Sequence, residues 1–223
     1  MYKRQVWGTP KRFVLDEVHF ASFPRHIGTT DLKWLLPLTG ATIAAFATDE
    51  KTMSQVVSSN ASFNQTSQNV SDGLRDGFIA VPVALFGIGE LVHDDHAREA
   101  GILGSEAMVD AYVAGEVIKL ASFRERPLAD HSEGSFYRLS AGLDSSFVSG
   151  HSLVAWSSAA VLAEEYPGRW REAGIYTLAT GVSLTRVLGQ QHFPSDVLLG
   201  SAAGWLIGHY VYRAHHRERK VSR

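Results

Sequence analysis

Residues 149–216 read SGHSLVAWSSAAVLAEEYPGRWREAGIYTLATGVSLTRVLGQQHFPSDVLLGSAAGWLIGHYVYRAHH. Two breaks divide this stretch. Pro167 and Gly168 make the first; Gly189 and Pro194 make the second, a glycine at a helix stop and a proline at a helix start. Three helices are therefore expected, at about 150–165, 169–189 and 194–216, the first with Ser149 as its N-cap. Working outward, an apolar helix is expected from about Asp31 to Ala47, another over about 74–92, and a third over roughly 97–123, with apolar residues at Ile102, Ala107, Val113, Val117 and Leu120. Ser58 to Asp72 is rich in Ser, Asn and Gln and reads as a loop, and 128–148 reads as a long connection. No internal repeat is visible and strand-type alternation is scarce. The expected fold class is all-α, a compact helical bundle. It is expected to comprise an N-terminal surface segment over 1–30, a helical domain over 31–216 and a basic C-terminal tail over 217–223.

Bulk properties narrow the function classes. The chain has 223 residues, enough for one well-buried core, and a net charge of −2 that demands no nucleic acid as partner. It has no cysteine, which removes thiolate catalysis, cysteine zinc sites and disulfides. No apolar segment of a secretory signal follows Met1, Tyr2, Lys3 and Arg4. The apolar stretches 34–47, 77–92 and 197–212 are interrupted by Pro37, by Pro82 and Glu90, and by His209. None gives the roughly 18–20 uninterrupted apolar residues of a spanning helix, and the mean hydropathy of −0.05 favours a soluble or peripheral protein. Gly200, Gly204 and Gly208, spaced by four, argue the other way, since such a stripe lets helices approach closely in bilayers. Three Asn-x-Ser/Thr sites, at Asn60, Asn64 and Asn69, read as polar loop composition.

Three segments carry chemistry. In the first, Lys119 and Arg126 stand seven residues apart, two helical turns, so they project from nearly one face. Pro127 disfavours helix at Arg126 and leaves that arginine at a helix end. In the second, Ser149, Gly150 and His151 open an apolar helix whose free N–H groups bind anions. Gly150 permits close backbone approach. In the third, Arg186 lies near a helix end, His192 precedes the next helix and Asp196 falls in its first turn. The four-residue spacing predicts a hydrogen bond in which the Asp196 carboxylate accepts from the His192 imidazole and fixes its tautomer. Taken singly, these segments read as a basic helix end, a capped helix and an Asp–His capping pair.

Together, in this order, they resemble the type 2 phosphatidic acid phosphatase superfamily, which also contains the vanadium-dependent haloperoxidases. The family pattern is Lys-x6-Arg-Pro, then Pro-Ser-Gly-His, then Ser-Arg-x5-His-x3-Asp. The first block matches from Lys119 to Pro127. The second matches at Ser149, Gly150 and His151 with Val148 in place of proline; the third matches at Arg186, His192 and Asp196 with Thr185 in place of serine. Neither departure removes a charge, a nucleophile or a proton donor.

The resemblance implies a catalytic helical domain that hydrolyses phosphate monoesters or diphosphates, chiefly of lipids, without a metal or cofactor. His192 would attack phosphorus, Asp196 would orient it and His151 would protonate the leaving oxygen. Lys119, Arg126, Ser149, Gly150 and Arg186 would hold the phosphate, and vanadate would fit the same place. It further implies an extracytoplasmic site, periplasmic or at a membrane surface, with a phosphorylated small molecule or lipid as substrate. Oligomeric state stays open. Rival readings are a vanadate haloperoxidase, a soluble non-specific acid phosphatase, a metal-dependent hydrolase built on His93, Asp94, Asp95 and His96, and a non-enzymatic anion-binding or membrane-organising protein that keeps the cradle. The connection 128–148, with Phe136, Tyr137 and Arg138, is expected to border the pocket.

Overall fold

The computed structural model describes Leu15, residues 32–129 and residues 131–221, with side chains given for all of these except 143 and 216–221. The expected surface segment 1–30, Leu15 apart, lies outside the described residues. Helix α1 spans Leu32–Lys51 and runs on through a π-helical turn at Thr52–Val56; α2 spans Ala61–Val92, α3 Asp95–Ser122, α4 Gly150–Glu165, α5 Arg169–Leu188 and α6 Pro194–Val221. No strand occurs among the described residues. The protein is all-α, as its periodicity indicates.

One expectation fails. Ser58 to Asp72 is not a loop, because α2 begins at Ala61. Asn60 caps it, its Oδ1 accepting from the Phe63 N–H at 3.0 Å. Ser, Thr and Asn normally compete with a helix by bonding their own backbone. Here Ser, Thr and Gln side chains bond helical carbonyls or the neighbouring helix instead. Thr66 and Ser67 donate back to Ser62 and Phe63, Gln68 donates to the Gly189 carbonyl at 2.8 Å, and Ser71 donates to the Val182 carbonyl. This polar face is an interface with α5. Of the three Asn-x-Ser/Thr sites, Asn60 serves as the cap and Asn64 is buried.

Helix α4 is apolar nearly all round, the pattern of a helix surrounded by others. One face packs Leu153 and Val161 against Leu103, Ala107 and Ala111 of α3 and Ile207 and Val211 of α6. The opposite face packs Ala155, Ala159 and Leu162 against Phe78 of α2 and Ala179 and Val182 of α5.

The glycine stripe sets how closely α6 lies on α4. A Cβ at Gly200 would stand 2.8 Å from the Ser149 carbonyl oxygen, and at Gly204 and Gly208 it would collide with the carbonyl oxygens of Leu153 and Ser157. Residue numbers rise together along this seam, so α4 and α6 are parallel. Helix α3 runs the other way, with Gly115 against Leu153 and Lys119 against Gly150. One end of the bundle therefore gathers the N-termini of α4 and α6, where helix dipoles are positive, with the α3 end bearing Lys119 and the α5 end bearing Arg186. Among the described residues, no helix is long and apolar enough to cross a membrane.

Candidate active site

His192 lies in the turn between α5 and α6 and is 2 % exposed. Its Nδ1 meets the Ser146 carbonyl oxygen at 2.7 Å. A carbonyl only accepts, so Nδ1 carries the proton and Nε2 keeps its lone pair. The expected Asp196–His192 hydrogen bond is absent: Asp196 Oδ2 stands 3.8 Å from Nδ1, beyond hydrogen-bond length. The helical spacing does not apply because His192 precedes the helix. Asp196 instead reaches back to the Phe193 N–H at 2.8 Å and accepts from Ser146 Oγ. It thus fixes Ser146, whose carbonyl in turn fixes His192.

The other Asp196 oxygen holds a residue that the motif reading passed over. Arg124, 3 % exposed, donates from Nη1 to Asp196 at 2.6 Å and to Ser195 Oγ at 2.8 Å, and from Nη2 to Asp49 of α1 at 2.9 Å. Asp49 also accepts from the Ser195 N–H and hydroxyl. The guanidinium lies 4.0 Å from the Phe193 ring centroid and 4.9 Å from that of Phe136. Its Nε donates to the Gly134 carbonyl. Gly134 has φ +64, and a Cβ there would meet the Phe193 ring and Arg124, so both backbone and space demand glycine.

Arg126, Arg186 and His151 lie close enough to His192 to act on its charge or feel it. His151 is at the start of α4, and its Nε2 lies 2.7 Å from Asp72 Oδ1 and 2.8 Å from Arg75 Nη1, both on α2. Arg186 Nη1 reaches the same Asp72 oxygen at 3.4 Å, while its Nε is buried without a hydrogen-bond partner. Arg126 is held by the Asp144 carbonyl and carboxylate and by Gln191 Oε1 at 2.9 Å, beside His192. Lys119 pairs with Glu116 at 2.7 Å, and a Cβ on Gly150 would lie 3.5 Å from its ammonium. Ser149 caps α4 and is fully buried, its oxygen accepting from the Ser152 N–H and hydroxyl. Asp72, Arg75, Asp49, Arg124 and Ser146 carried no motif signal in the sequence. His93 and Asp94 close α2 and open α3, and His96 pairs with Glu165 at 3.0 Å, so that run is spent on helix ends. No cluster of three or more His, Asp or Glu side chains suited to a metal occurs among the described residues.

Burial and crowded positive charge dominate the electrostatics. Burial pushes His192 down from 6.5 to about 4; Asp196 opposes this, and Arg126 and Arg186 reinforce it. His151 is pushed to about 3 by burial, then by Arg186 and Arg75, against the pull of Asp72, with His192 adding to the depression. Arg186 is lowered to about 10 through burial and the neighbouring Arg126 and Arg75, while Asp72 and Asp144 pull the other way. Both histidines titrate near 6.5 in the unfolded chain. Below that pH the unfolded chain takes up protons that the folded chain refuses. Stability is therefore complete above pH 6.5 and is lost as pH falls toward 4 and then 3, at about 1.4 kcal/mol per pH unit for each histidine. Urea midpoints are expected to drop between pH 7 and pH 5; equal midpoints would mean that both rings are protonated in the folded protein.

The family model of the PAP2 superfamily matches residues 98–220, more than half of the chain. The chain belongs to the PAP2 superfamily. It is similar to lipid A 1-phosphatase of Porphyromonas gingivalis, with 27 % identity over 202 residues, 85 % of this chain and 41 % of that protein. The chain thus spans about two fifths of that relative's length. No significant match is found among solved structures. The PAP2 match begins within α3, so Asp49, Asp72 and Arg75 precede it while every motif residue falls inside it.

Proposed function

We propose that the protein is a metal-independent phosphatase of phosphorylated lipids that works through a phosphohistidine on His192. One observation carries the reading. A nearly inaccessible imidazole with a bare Nε2 stands at the paired helix N-termini among Arg126, Arg186 and His151, and Arg186 keeps a buried N–H without a protein acceptor. A buried orphan donor in a cluster of cations is matched by an oxyanion. Phosphoryl transfer needs positive charge on three nonbridging oxygens and an in-line nucleophile. The two arginines suit bidentate binding, Lys119 adds a charge and the Gly150 amide a neutral donor, with Ser149 fixing the loop that presents it.

In this mechanism Nε2 of His192 attacks phosphorus and the bond to the leaving oxygen breaks as His151 gives that oxygen a proton. Water then attacks the phosphohistidine, His151 takes the proton, and the electron pair of the N–P bond returns to Nε2. Asp196, through Ser146, keeps the proton on Nδ1 throughout.

The lipid assignment leans on the similarity to a lipid A phosphatase and on exposed apolar side chains of the connection between α3 and α4: Leu128, Phe136, Tyr137 and Leu139. Such a rim suits acyl chains at a membrane surface, and in our reading that surface is extracytoplasmic. Protein treated with EDTA is expected to release phosphate from phosphatidate or lipid A 1-phosphate in detergent micelles, with kcat/KM at least about tenfold above that for a soluble monoester. Vanadate is expected to inhibit. Acid-labile label is expected on His192 after rapid quench. No release from any of these substrates, or label on another residue, would refute the proposal.

A further inference from the structure

Asp72 and Arg75 lie one helical turn apart on α2, outside all three motif segments, and both address a single atom, Nε2 of His151. An imidazole nitrogen offers one in-plane site: as N–H it donates, as a bare lone pair it accepts. The two contacts, 2.7 and 2.8 Å, are therefore alternatives. A carboxylate partner belongs with the protonated nitrogen, a guanidinium with the bare one. Arg75 is tied to Asp76 through Nε and Nη2, at 3.0 and 2.7 Å.

We propose that Asp72 is a positioning residue for the proton donor His151, holding its Nε2–H so that the imidazolium delivers the Nδ1 proton to the leaving oxygen, and that Arg75 opposes it. This rests on the phosphohistidine reading above. After delivery, the neutral ring keeps Nε2–H on Asp72, and the bare Nδ1 accepts the proton of the water that hydrolyses the intermediate.

The surroundings make this carboxylate necessary. Arg75 of α2, Arg186 of α5 and His192 before α6 face His151 and disfavour its charged form, as does burial; Asp72 alone favours it. A donor in that company reloads poorly without a negative charge at hydrogen-bond distance. Asp72 also touches Arg186, so it links the donor to the phosphate clamp. Its side chain is 47 % exposed, and its replacement by asparagine leaves the core intact.

The test compares leaving groups. An alkyl phosphate needs a proton on its departing oxygen; 2,4-dinitrophenyl phosphate does not. The quantity read is kcat/KM, which reports the step that breaks the ester bond. Asp72→Asn is expected to lower kcat/KM for the alkyl ester at neutral pH by roughly tenfold or more. The activated ester is expected to fall by a clearly smaller factor, the share that comes from the lost Asp72–Arg186 contact and acts on both esters alike, and the basic limb for the alkyl ester is expected to move to lower pH. Arg75→Gln is expected to move that limb to higher pH. Equal losses on both esters in Asp72→Asn, no loss on either, or limbs moving in the same direction in the two variants would overturn the inference. Activity retained in His192→Ala on the activated ester would instead overturn the phosphohistidine reading, whatever Asp72 does.

Discussion

Substituting His192 by asparagine is expected to abolish turnover while phosphate and vanadate still bind. Asparagine keeps an N–H near the position of Nδ1, so the Ser146 carbonyl, held at 2.7 Å in the wild type, retains a donor; it offers no lone pair toward phosphorus. Alanine would also leave that buried carbonyl without a donor, at about 1–3 kcal/mol, and would mix a folding defect with a chemical one. Removing a covalent nucleophile from a group that acts as a unit lowers kcat by about 10^6-fold in the best-studied case, and a loss of at least 10^4 is expected here. The cations proposed to hold the oxyanion, Lys119, Arg126 and Arg186, stay in place. Steady-state kcat and calorimetric vanadate binding together decide the matter. Loss of both activity and binding would make His192 part of the anion cradle, and retention of both would return the nucleophile to another residue.

Arg124→Ala is expected to be the most damaging change to stability. The guanidinium is 3 % exposed and bridges Asp49 and Asp196, themselves 4 % and 0 % exposed at the side chain. Removing it leaves two buried carboxylates without their counter-charge, held only by neutral donors from Phe193, Ser146 and Ser195. Breaking one buried pair costs about 3–5 kcal/mol, a large share of the roughly 5–15 kcal/mol that holds a domain together. Lysine cannot replace the fork, since one ammonium does not present two fixed edges to two carboxylates. Urea unfolding should show midpoints well below wild type for both variants, alanine the lower. The loss should travel to the chemistry as well, because Asp196 holds Ser146 and Ser146 holds His192. A shift of under about 1 kcal/mol in Arg124→Ala would mean that the carboxylates take up protons or water instead.

The helix ends at Ser149, Gly189 and Pro194 were legible because each uses a residue whose backbone chemistry is local. The motif residues were legible because their types and spacing repeat those of the PAP2 superfamily. The start of α2 was not, since its serines and glutamine satisfy themselves against carbonyls that only the folded chain supplies, such as Gly189 and Val182. Nor was the grip on Asp196: Arg124 lies 72 residues before it and Asp49 lies 75 before Arg124, and no local rule pairs them. An i,i+4 spacing brings two side chains together only where both lie in one helix, and His192 precedes α6, which leaves Asp196 3.8 Å from its Nδ1. Asp72 was hidden for the reason that hid α2, since a segment expected as loop places no side chain; Arg75 falls in the expected helix 74–92, but its partner His151 lies 76 residues away and no local rule pairs them.

The seam of Gly200, Gly204 and Gly208 has a consequence for the chemistry although it holds no reactive atom. Each rung rests on a carbonyl of α4, at Ser149, Leu153 and Ser157, and tightly packed elements pass displacement along instead of absorbing it. A methyl group at the far rung, Gly208, would act as a wedge whose opposite edge is the gap between His151 and His192. How wide that gap stands is set by a ruler of bare backbone that reaches two turns along α6.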